Sequence, residues 1–293
     1  MPDSYPLGRG MLVSLTASVL FAVMTAYTKL LSPLSGLDIF AWRVVWTVPC
    51  AILFVTARGS LASLRALTIR GLCEPKFAAM LLTCAALLGV ETWLFLWAPQ
   101  HGRMLDVSMG FFLLPIIMVI VGRVFYVESL SKLQWIAVGC ASIGVIHEFF
   151  VTRSFAWPTL LVSFGYPPYL MLRRKIGGDS FVLLAAEMAL MVPVACFVIW
   201  SNSGQLKAPN QFGLCLFLLP GLGVISTLAL GSYLKASRML PMAVFGMLGY
   251  VEPILLIAVS VLVLGESITS SQLQTYIPIW IGVLLMVFHS ARG

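Results

Sequence analysis

Apolar runs of about 20 residues recur along this 293-residue chain, and each is long enough to cross the ~30 Å hydrocarbon core of a bilayer as a helix. Proline, glycine and charged residues separate the runs. The pattern predicts an all-α integral membrane protein with ten transmembrane helices. The predicted spans are residues 8–31, 38–57, 77–98, 106–126, 133–149, 155–172, 180–200, 211–234, 239–264 and 273–290.

Composition excludes a soluble globular enzyme. Charged residues make up only 10% of the chain and hydrophobic residues 60%, whereas a soluble domain is about 25% charged. The segments between the runs are too short for a separate water-soluble domain of about 50 residues. Any chemistry must therefore take place within or between the helices.

The basic residues are distributed unequally between the two sides of the predicted membrane. With the N-terminus in the cytoplasm, thirteen of the eighteen Lys and Arg residues lie on the inner side, three on the outer side and two inside spans. This positive-inside bias predicts that both termini are cytoplasmic. Although the net charge is +7, the cations form no continuous stripe, so no nucleic-acid partner is expected.

An internal repeat appears at an offset of 138 residues. Pro115 falls on Pro253, Gln134 falls on Gln272, and the Glu-Ser pair that begins at residue 128 recurs at residue 266. We therefore expect two repeats, residues 1–150 and residues 151–293. Each holds five spans, an odd number, so the second repeat enters the membrane inverted, as in many secondary transporters.

Several segments resemble a known family. They are WLFLWAPQHGRMLDVSMGFFLLPIIMVIVGRVFYVE from Trp93, AWRVVW around Arg43, LQWIAVGCASIGV from Leu133, YLMLRRKI ending at Ile176, and GYVEPILLIAVSVLVLGES from Gly249. The first four, together with Glu187 ahead of Pro193, are similar to the RarD-type branch of the EamA family, in the drug/metabolite transporter (DMT) superfamily. The fifth fits the general EamA pattern. The resemblance implies a ten-helix inner-membrane carrier that moves small metabolites, usually outward.

This chain departs from the RarD pattern at polar positions. RarD-like proteins often carry Asn where this chain has Leu114, and Asn near Glu91 and Thr92. In the ninth helix they tend to have Gln and Gly, where this chain has Gly249 and Glu252. The fold expectation is unaffected by these changes, but a shared cargo does not follow from it.

Two basic residues fall inside predicted spans, where a charge costs roughly 2.5 to 3.5 kcal/mol on insertion scales and is a candidate functional group. Arg43 offers a two-pronged guanidinium to a carboxylate on the cargo. The alternative is a structural ion pair with an acid such as Glu91. Lys29 is a weaker candidate, because a lysine near a helix end can extend to the interface.

Three glutamates complete the set of charged candidates. Glu91 and Glu252 lie near the middle of the third and ninth spans. A carboxylate without water is more easily protonated, so each can meet an amine on the cargo or exchange a proton for it. The alternative for Glu252 is a packing role at a proline-induced break. Glu187 either faces the pathway or pairs with Arg173 or Arg174.

Aromatic residues beside these charges are candidates for stacking on the cargo. Trp97 and Tyr250 are the main ones, because they share sequence segments with Glu91 and Glu252. The weaker candidates are Trp46, Trp93 and Tyr166. The alternative for all five is packing or an interfacial belt.

No cofactor or metal site is predicted. The adjacent residues His147 and Glu148 point about 100° apart on a helix and do not form a pair of metal ligands. Neither an HExxH motif nor an Asp-rich pair is present. An integral-membrane enzyme is therefore only a minor alternative.

The sequence thus predicts a bacterial inner-membrane secondary transporter that exports a small amino-acid-derived metabolite by alternating access. A zwitterionic or carboxylate-bearing cargo suits the mixed charges of the spans. The range of the EamA family makes an opine-type metallophore the specific expectation. Proton coupling and a homodimer are further expectations. Chloramphenicol-type drug efflux and metabolite uptake remain alternatives.

Overall fold

The computed structural model describes residues 7–31, 34–101, 103–153, 156–202, 209–255 and 270–292. It describes only the backbone at residues 29, 95–97, 99, 100, 104, 105, 152, 202, 209–216, 270–272 and 286–292. The described residues are helical apart from short connections, and none of them forms a strand. The prediction of an all-α chain is therefore confirmed for this part of the protein.

Eleven labelled helices follow one another along the chain. They are α1 (Leu7–Thr28), α2 (Gly36–Ala57), α3 (Leu61–Cys73), α4 (Pro75–Gln100), α5 (Met104–Phe125), α6 (Lys132–Thr152), α7 (Trp157–Ile176), α8 (Ser180–Asn202), α9 (Pro209–Met239), α10 (Met242–Leu248) and α11 (Ser270–Arg292). A single 3₁₀ turn, Lys29–Leu31, extends α1, and residues 251–255 are helical after a turn that follows α10.

A helix lies at each of the ten predicted spans, but the number that cross the membrane stays a prediction. Within the described residues, seven helices are long and apolar enough to span a bilayer, and two shorter apolar helices cover Met242–Leu255 and Leu273–Leu285. Helix α7 lies at the predicted sixth span and is not one of these. It contains Arg173, Arg174 and Lys175 in its last turn.

The structure differs from the sequence expectation in two places. Helix α3 was not predicted, because the segment is only 13 residues long and carries two arginines. The predicted span 239–264 is interrupted at Gly249 and Tyr250, where the chain makes a turn. Pro253 weakens the helix here, because a proline lacks an amide hydrogen and its ring crowds the carbonyl four residues earlier, that of Gly249.

Local sequence signals fix several helix ends. The Ser35 hydroxyl accepts a hydrogen bond from the Asp38 amide at the start of α2. Ser131 and Gln134 form a capping box at the start of α6, in which each side chain binds the backbone amide of the other residue. These caps satisfy amides that have no partner within the first turn of a helix.

The helices pack in a closed bundle that brings the two halves of the chain together. Helix α6 packs against α11, α2 against α8 and α9, and α1 against α9. In the centre, α5 contacts α7 and α10, and α4 contacts α7. The charged residues predicted from the sequence therefore lie on helices that meet inside one bundle.

Candidate functional site

Charged and phenolic side chains from both halves of the chain meet near the middle of the bundle. Arg43 lies seven residues into α2, Tyr166 nine residues into α7, and Glu91 nine residues before the end of α4. At 1.5 Å per residue, each is about 10 to 14 Å from the nearer end of its helix. Glu252 follows the turn after α10. We call these four residues, together with Tyr233 of α9, the central cluster.

Tyr166 lies at the centre of this cluster. Its phenol is within electrostatic range of Glu91, Glu252, Tyr233 and Arg43. Tyr233 is also within range of Glu252. Tyr166 therefore lies near charges that belong to both halves of the sequence.

Further aromatic rings surround the two tyrosines. The ring of Tyr166 lies 6.0 Å from that of Phe111, measured between centroids. The ring of Tyr233 lies 4.9 Å from that of Phe245 and 5.9 Å from that of Phe21. The cluster thus offers aromatic faces as well as polar groups to a bound molecule.

Glu91 is a buried carboxylate without a hydrogen-bond partner. Its side chain is packed over Gly165 of α7, where a β-carbon would collide with its Oε1 atom. The residue is only 5% exposed, and neither carboxylate oxygen has a partner among the described residues. Such groups are rare in folded proteins, because burying an unsatisfied charge is costly.

Arg43 also lacks an ion-pair partner in the described part of the chain. Its guanidinium lies 5.7 Å from the centre of the Phe40 ring, and Nη1 lies 4.0 Å from the Met24 sulfur. Neither contact neutralises its charge. The structural Arg43–Glu91 ion pair that the sequence left open is not formed here. Both Arg43 and Glu252 are half-buried rather than sealed within the packing.

Glu187, by contrast, forms an ion pair with an arginine through one carboxylate oxygen. Its Oε2 atom accepts hydrogen bonds from Arg173 Nη1 at 2.8 Å and from the Tyr169 hydroxyl at 3.0 Å. Arg173 also donates to the Ser180 carbonyl. Arg173 and Glu187 are 1% and 0% exposed. Of the two roles open for Glu187, the structure shows the pairing with Arg173.

A second polar network surrounds the junction between α9 and α10. The Glu128 carboxylate accepts hydrogen bonds from the Met242 and Ala243 amides at the start of α10, at 2.6 and 2.9 Å. The Arg174 guanidinium donates to the Ser237 and Leu240 carbonyls at the end of α9. A carboxylate at a helix N-terminus and a cation at a C-terminus both complement the helix dipole.

The aromatic candidates fall in different environments. Tyr250 is fully buried, and its hydroxyl donates a hydrogen bond to the Phe112 carbonyl. Trp46 of α2 packs against Gly223, and its indole N–H has no partner among the described residues. Trp93 is 47% exposed. The side chains of Trp97 and Lys29 lie outside the described residues.

His147 and Glu148 take part in a contact between helices. The two imidazole nitrogens of His147 lie 2.9 Å from the Thr275 hydroxyl and 3.1 Å from the Gln274 side-chain oxygen on α11. Glu148 accepts a hydrogen bond from Thr275. In the part of the chain that the structure describes, no three metal-ligating side chains come together.

Sequence reasoning missed Tyr233, Tyr169 and the role of Glu128. A signal existed for two of them. Tyr169 and Arg173 are four residues apart and therefore share one helix face, and Glu128 belongs to a Glu-Ser pair that recurs after 138 residues. Nothing in the sequence distinguishes Tyr233 from the other tyrosines of the spans.

Comparisons with known proteins agree with this architecture. The model of the EamA-like transporter family matches the chain twice, over residues 8–147 and 160–288. Chloramphenicol-sensitive protein RarD of Pseudomonas aeruginosa is 46% identical over 285 residues, which cover 97% of this chain and 95% of that protein. An uncharacterized transporter of Pasteurella multocida is 37% identical over 280 residues and 95% of each chain.

A solved structure shares the fold. This crystal structure covers 96% of the present chain and 99% of its own, with a TM-score of 0.71. The sequence identity between the two proteins is 14%. The likeness therefore concerns the arrangement of the helices.

Proposed function

This chain belongs to the EamA-like transporter family, as a RarD-like member, and we propose that it exports a small amino-acid-derived metabolite across the bacterial inner membrane by alternating access. Membership of the family establishes a multi-pass membrane transporter. The direction of transport and the cargo are the proposal. They rest on the chemistry of the central cluster.

The observation that carries the proposal is a set of charges near the middle of the bundle that form no ion pair within the described residues. Arg43 can bind a carboxylate in a two-pronged geometry. Glu91 and Glu252 can bind an amine, and the hydroxyls of Tyr166 and Tyr233 can donate or accept hydrogen bonds. Charges of both signs suit a zwitterion, and the desolvation cost of each is offset only when the cargo supplies the opposite charge.

The proposed architecture is two inverted five-helix repeats, residues 1–150 and 151–293, with both termini in the cytoplasm. Two matches of one family model, one in each half, support the repeat. The packing also supports it, because α6 with α11 and α2 with α8 are pairs of equivalent helices. In the same way, the contact between α1 and α9 corresponds to the contact between α7 and α4.

Alternating access requires that the two polar networks open and close. On the proposed orientation, the Arg173–Glu187 pair and the Glu128–Arg174 network lie towards the cytoplasm, below the central cluster. The Arg173–Glu187 pair joins α7 to α8, and the Glu128–Arg174 network joins α7 and the segment before α6 to the junction of α9 and α10. These hydrogen bonds must break when the helices that they join separate. We propose that they close the cytoplasmic side while the cargo leaves outward.

The specific cargo proposed is an opine-type metallophore, which carries several carboxylates and amines. The two glutamates also make proton exchange a proposed source of coupling. A second candidate is efflux of a chloramphenicol-type drug, which is favoured by the name of the Pseudomonas aeruginosa relative. The charges of Arg43, Glu91 and Glu252 favour the zwitterion over a neutral drug.

Comparative metabolomics tests the proposal without assuming a cargo. Cells that carry or lack the gene are grown with and without metal limitation, and their cytoplasm and medium are compared. We expect one amino-acid-derived compound to accumulate inside and to vanish from the medium on deletion. Depletion inside the cells, with persistence in the medium, would instead indicate uptake.

Variants of the central cluster make the test specific. Cells expressing Arg43→Gln or Glu252→Gln should resemble the deletion strain. Glu74→Gln should behave as wild type, because Glu74 is half exposed and pairs with Arg70 of the neighbouring helix α3. Counterflow in proteoliposomes then measures exchange of the compound directly. Failure to exchange any zwitterionic compound would overturn the proposed cargo class.

A further inference from the structure

The short helix α3 lies between two membrane helices and close to the membrane boundary. Only residues 58–60 connect α2 to α3, and only Glu74 connects α3 to α4. Both neighbours are among the helices long and apolar enough to span a bilayer. With connections this short, α3 cannot move far from the surface in which α2 ends and α4 begins.

One side of α3 packs on the bundle. Leu64 and Leu67 contact the end of α2 and the start of α8, where Val55 and Phe181 are buried. None of the residues of α3 is itself fully buried. The bundle therefore covers a single narrow face of this helix.

A second face of α3 is apolar and uncovered. Leu61, Ile69 and Leu72 are 55%, 50% and 84% exposed. At 3.6 residues per turn, these three positions fall within an arc of about 80°, and Arg65 lies within the same arc. They are separated from the face that packs on the bundle. Exposed leucines grouped on one face mark an interaction surface.

The charges around this face are almost all positive. Between residues 58 and 76 the chain has Arg58, Arg65, Arg70 and Lys76 but only one acid, Glu74. Arg70 pairs with Glu74 at 2.9 Å. Arg58 stacks on the rings at the ends of α2 and α8. Among the described residues, Arg65 and Lys76 have no ion-pair partner.

We propose that α3 is an interfacial helix that binds anionic phospholipid. Leu61, Ile69 and Leu72 insert between the lipid chains just below the headgroups, and Arg65 and Lys76 bind lipid phosphates. An apolar face beside basic residues is typical of helices that lie in the membrane interface. On the proposed orientation, this is the cytoplasmic leaflet, where anionic lipid gives a negative surface potential.

Charge and position together favour lipid over a second copy of the chain. A second copy would bring the same excess of positive charge to the contact, and the two basic segments would repel each other. Anionic headgroups lie within reach of α3 in any bilayer that contains them. The surface needs no other partner.

Spin labels on opposite sides of α3 test the insertion. In a variant whose native cysteines are replaced, Leu72→Cys and Ser63→Cys are labelled separately with a nitroxide in nanodiscs of phosphatidylcholine with phosphatidylglycerol. Ser63 lies opposite the apolar arc and is exposed. We expect the label at residue 72 to be relaxed by oxygen and shielded from a water-soluble nickel chelate, and the label at 63 to show the reverse. Equal access of nickel to both labels would overturn the proposal.

The cations are tested by lipid retention. The double variant Arg65→Gln/Lys76→Gln is compared with wild type for phosphatidylglycerol bound after detergent extraction, counted by native mass spectrometry. One interfacial cation contributes about 1 kcal/mol, so we expect roughly a fivefold loss of lipid affinity for each residue removed. Arg153→Gln, an exposed arginine beyond the end of α6, is the control. Unchanged retention of phosphatidylglycerol in the double variant would refute lipid binding. In the spin-label experiment, a label at residue 72 that is shielded from both oxygen and nickel would indicate contact with protein and would refute it as well.

Discussion

The hydroxyl of Tyr250 donates a 2.7 Å hydrogen bond to the main-chain carbonyl of Phe112, and the two residues are 138 positions apart in the sequence. The same offset relates Pro115 to Pro253. On the proposed repeat, Tyr250 therefore contacts its own counterpart in the other half. The bond joins α5 to the turn that follows α10, and it leaves Tyr250 no exposed surface for stacking on a cargo in this conformation.

Tyr250→Phe should lower stability with little effect on cargo affinity. The variant keeps the ring and loses one buried hydrogen bond, which contributes about 0.5–1.5 kcal/mol. We expect a lower thermal unfolding midpoint in detergent and an unchanged half-saturation concentration in counterflow. A clear loss of cargo affinity at wild-type stability would contradict this and would indicate that Tyr250 contacts the cargo.

Gly246→Ala should disrupt the packing of α10 on α5. A β-carbon at this position would lie 2.5 Å from the Met118 β-carbon and 3.0 Å from the Pro115 carbonyl oxygen. The two helices would have to separate, at a cost of about 1–3 kcal/mol. Gly139→Ala on α6 is the matched control, because nothing lies within 4 Å of its β-carbon. Equal unfolding midpoints for the two variants would contradict close packing at Gly246.

The effects of substituting Arg173 and Glu187 on the free energy of unfolding should not be additive. Removing one partner leaves a buried charge, so Glu187→Gln and Arg173→Met should each cost about 3–5 kcal/mol of stability. The double variant Arg173→Met/Glu187→Leu should be closer to wild type, since Arg173 Nε and Glu187 Oε1 already lack partners. Denaturant titration of Arg173→Met, Glu187→Leu and the double variant measures this coupling, because a double-mutant cycle needs the same substitutions singly and together.

Transport assays of the same variants test whether the Arg173–Glu187 pair closes the cytoplasmic side or serves only packing. If the pair closes the cytoplasmic side as proposed, the double variant should regain stability but not coupled transport. Wild-type transport in the double variant would show that the pair serves packing alone.

The Glu128 carboxylate should stabilise the start of α10. Glu128→Ala removes two charge-assisted hydrogen bonds and should cost about 1.5–3 kcal/mol, and Glu128→Gln should cost less because an amide retains one acceptor oxygen. Glu74→Ala is the control, because an exposed ion pair contributes about 0–1 kcal/mol. Unfolding midpoints that rank the three variants differently would contradict this role.

The sequence predicted the helices well because apolar length is a local property. It did not predict α3, whose Leu64 and Leu67 contact the ends of α2 and α8 only after the chain has folded. It also did not predict that Pro253 coincides with a turn while Pro115 lies inside the unbroken helix α5. That difference depends on tertiary packing around each proline, which the local sequence does not contain.

The candidate site was also predicted only in part, because some of its features are local in the sequence and others depend on tertiary packing. Charged residues within apolar runs are conspicuous, so Arg43, Glu91 and Glu252 could be found directly. Whether a charge is paired depends on neighbours that are distant in sequence, as the opposite outcomes for Glu91 and Glu187 show. Tyr233 belongs to the cluster because of where α9 packs in the bundle, and no local sequence pattern predicts that position.

Substitution of Glu91 should abolish transport without lowering stability. Its buried carboxylate has no hydrogen-bond partner among the described residues. The free energy of its desolvation is therefore not offset by a hydrogen bond to these residues. Glu91→Gln keeps the shape and removes the charge. We therefore expect an unfolding midpoint equal to or above that of wild type, together with loss of counterflow. Thr92→Val is the matched control on the same helix, because the Thr92 hydroxyl donates its hydrogen bond to the Leu88 carbonyl of its own helix. This variant should retain transport. If Glu91→Gln instead unfolds as readily as Glu187→Gln, the carboxylate has a structural partner and Glu91 does not belong to the binding site.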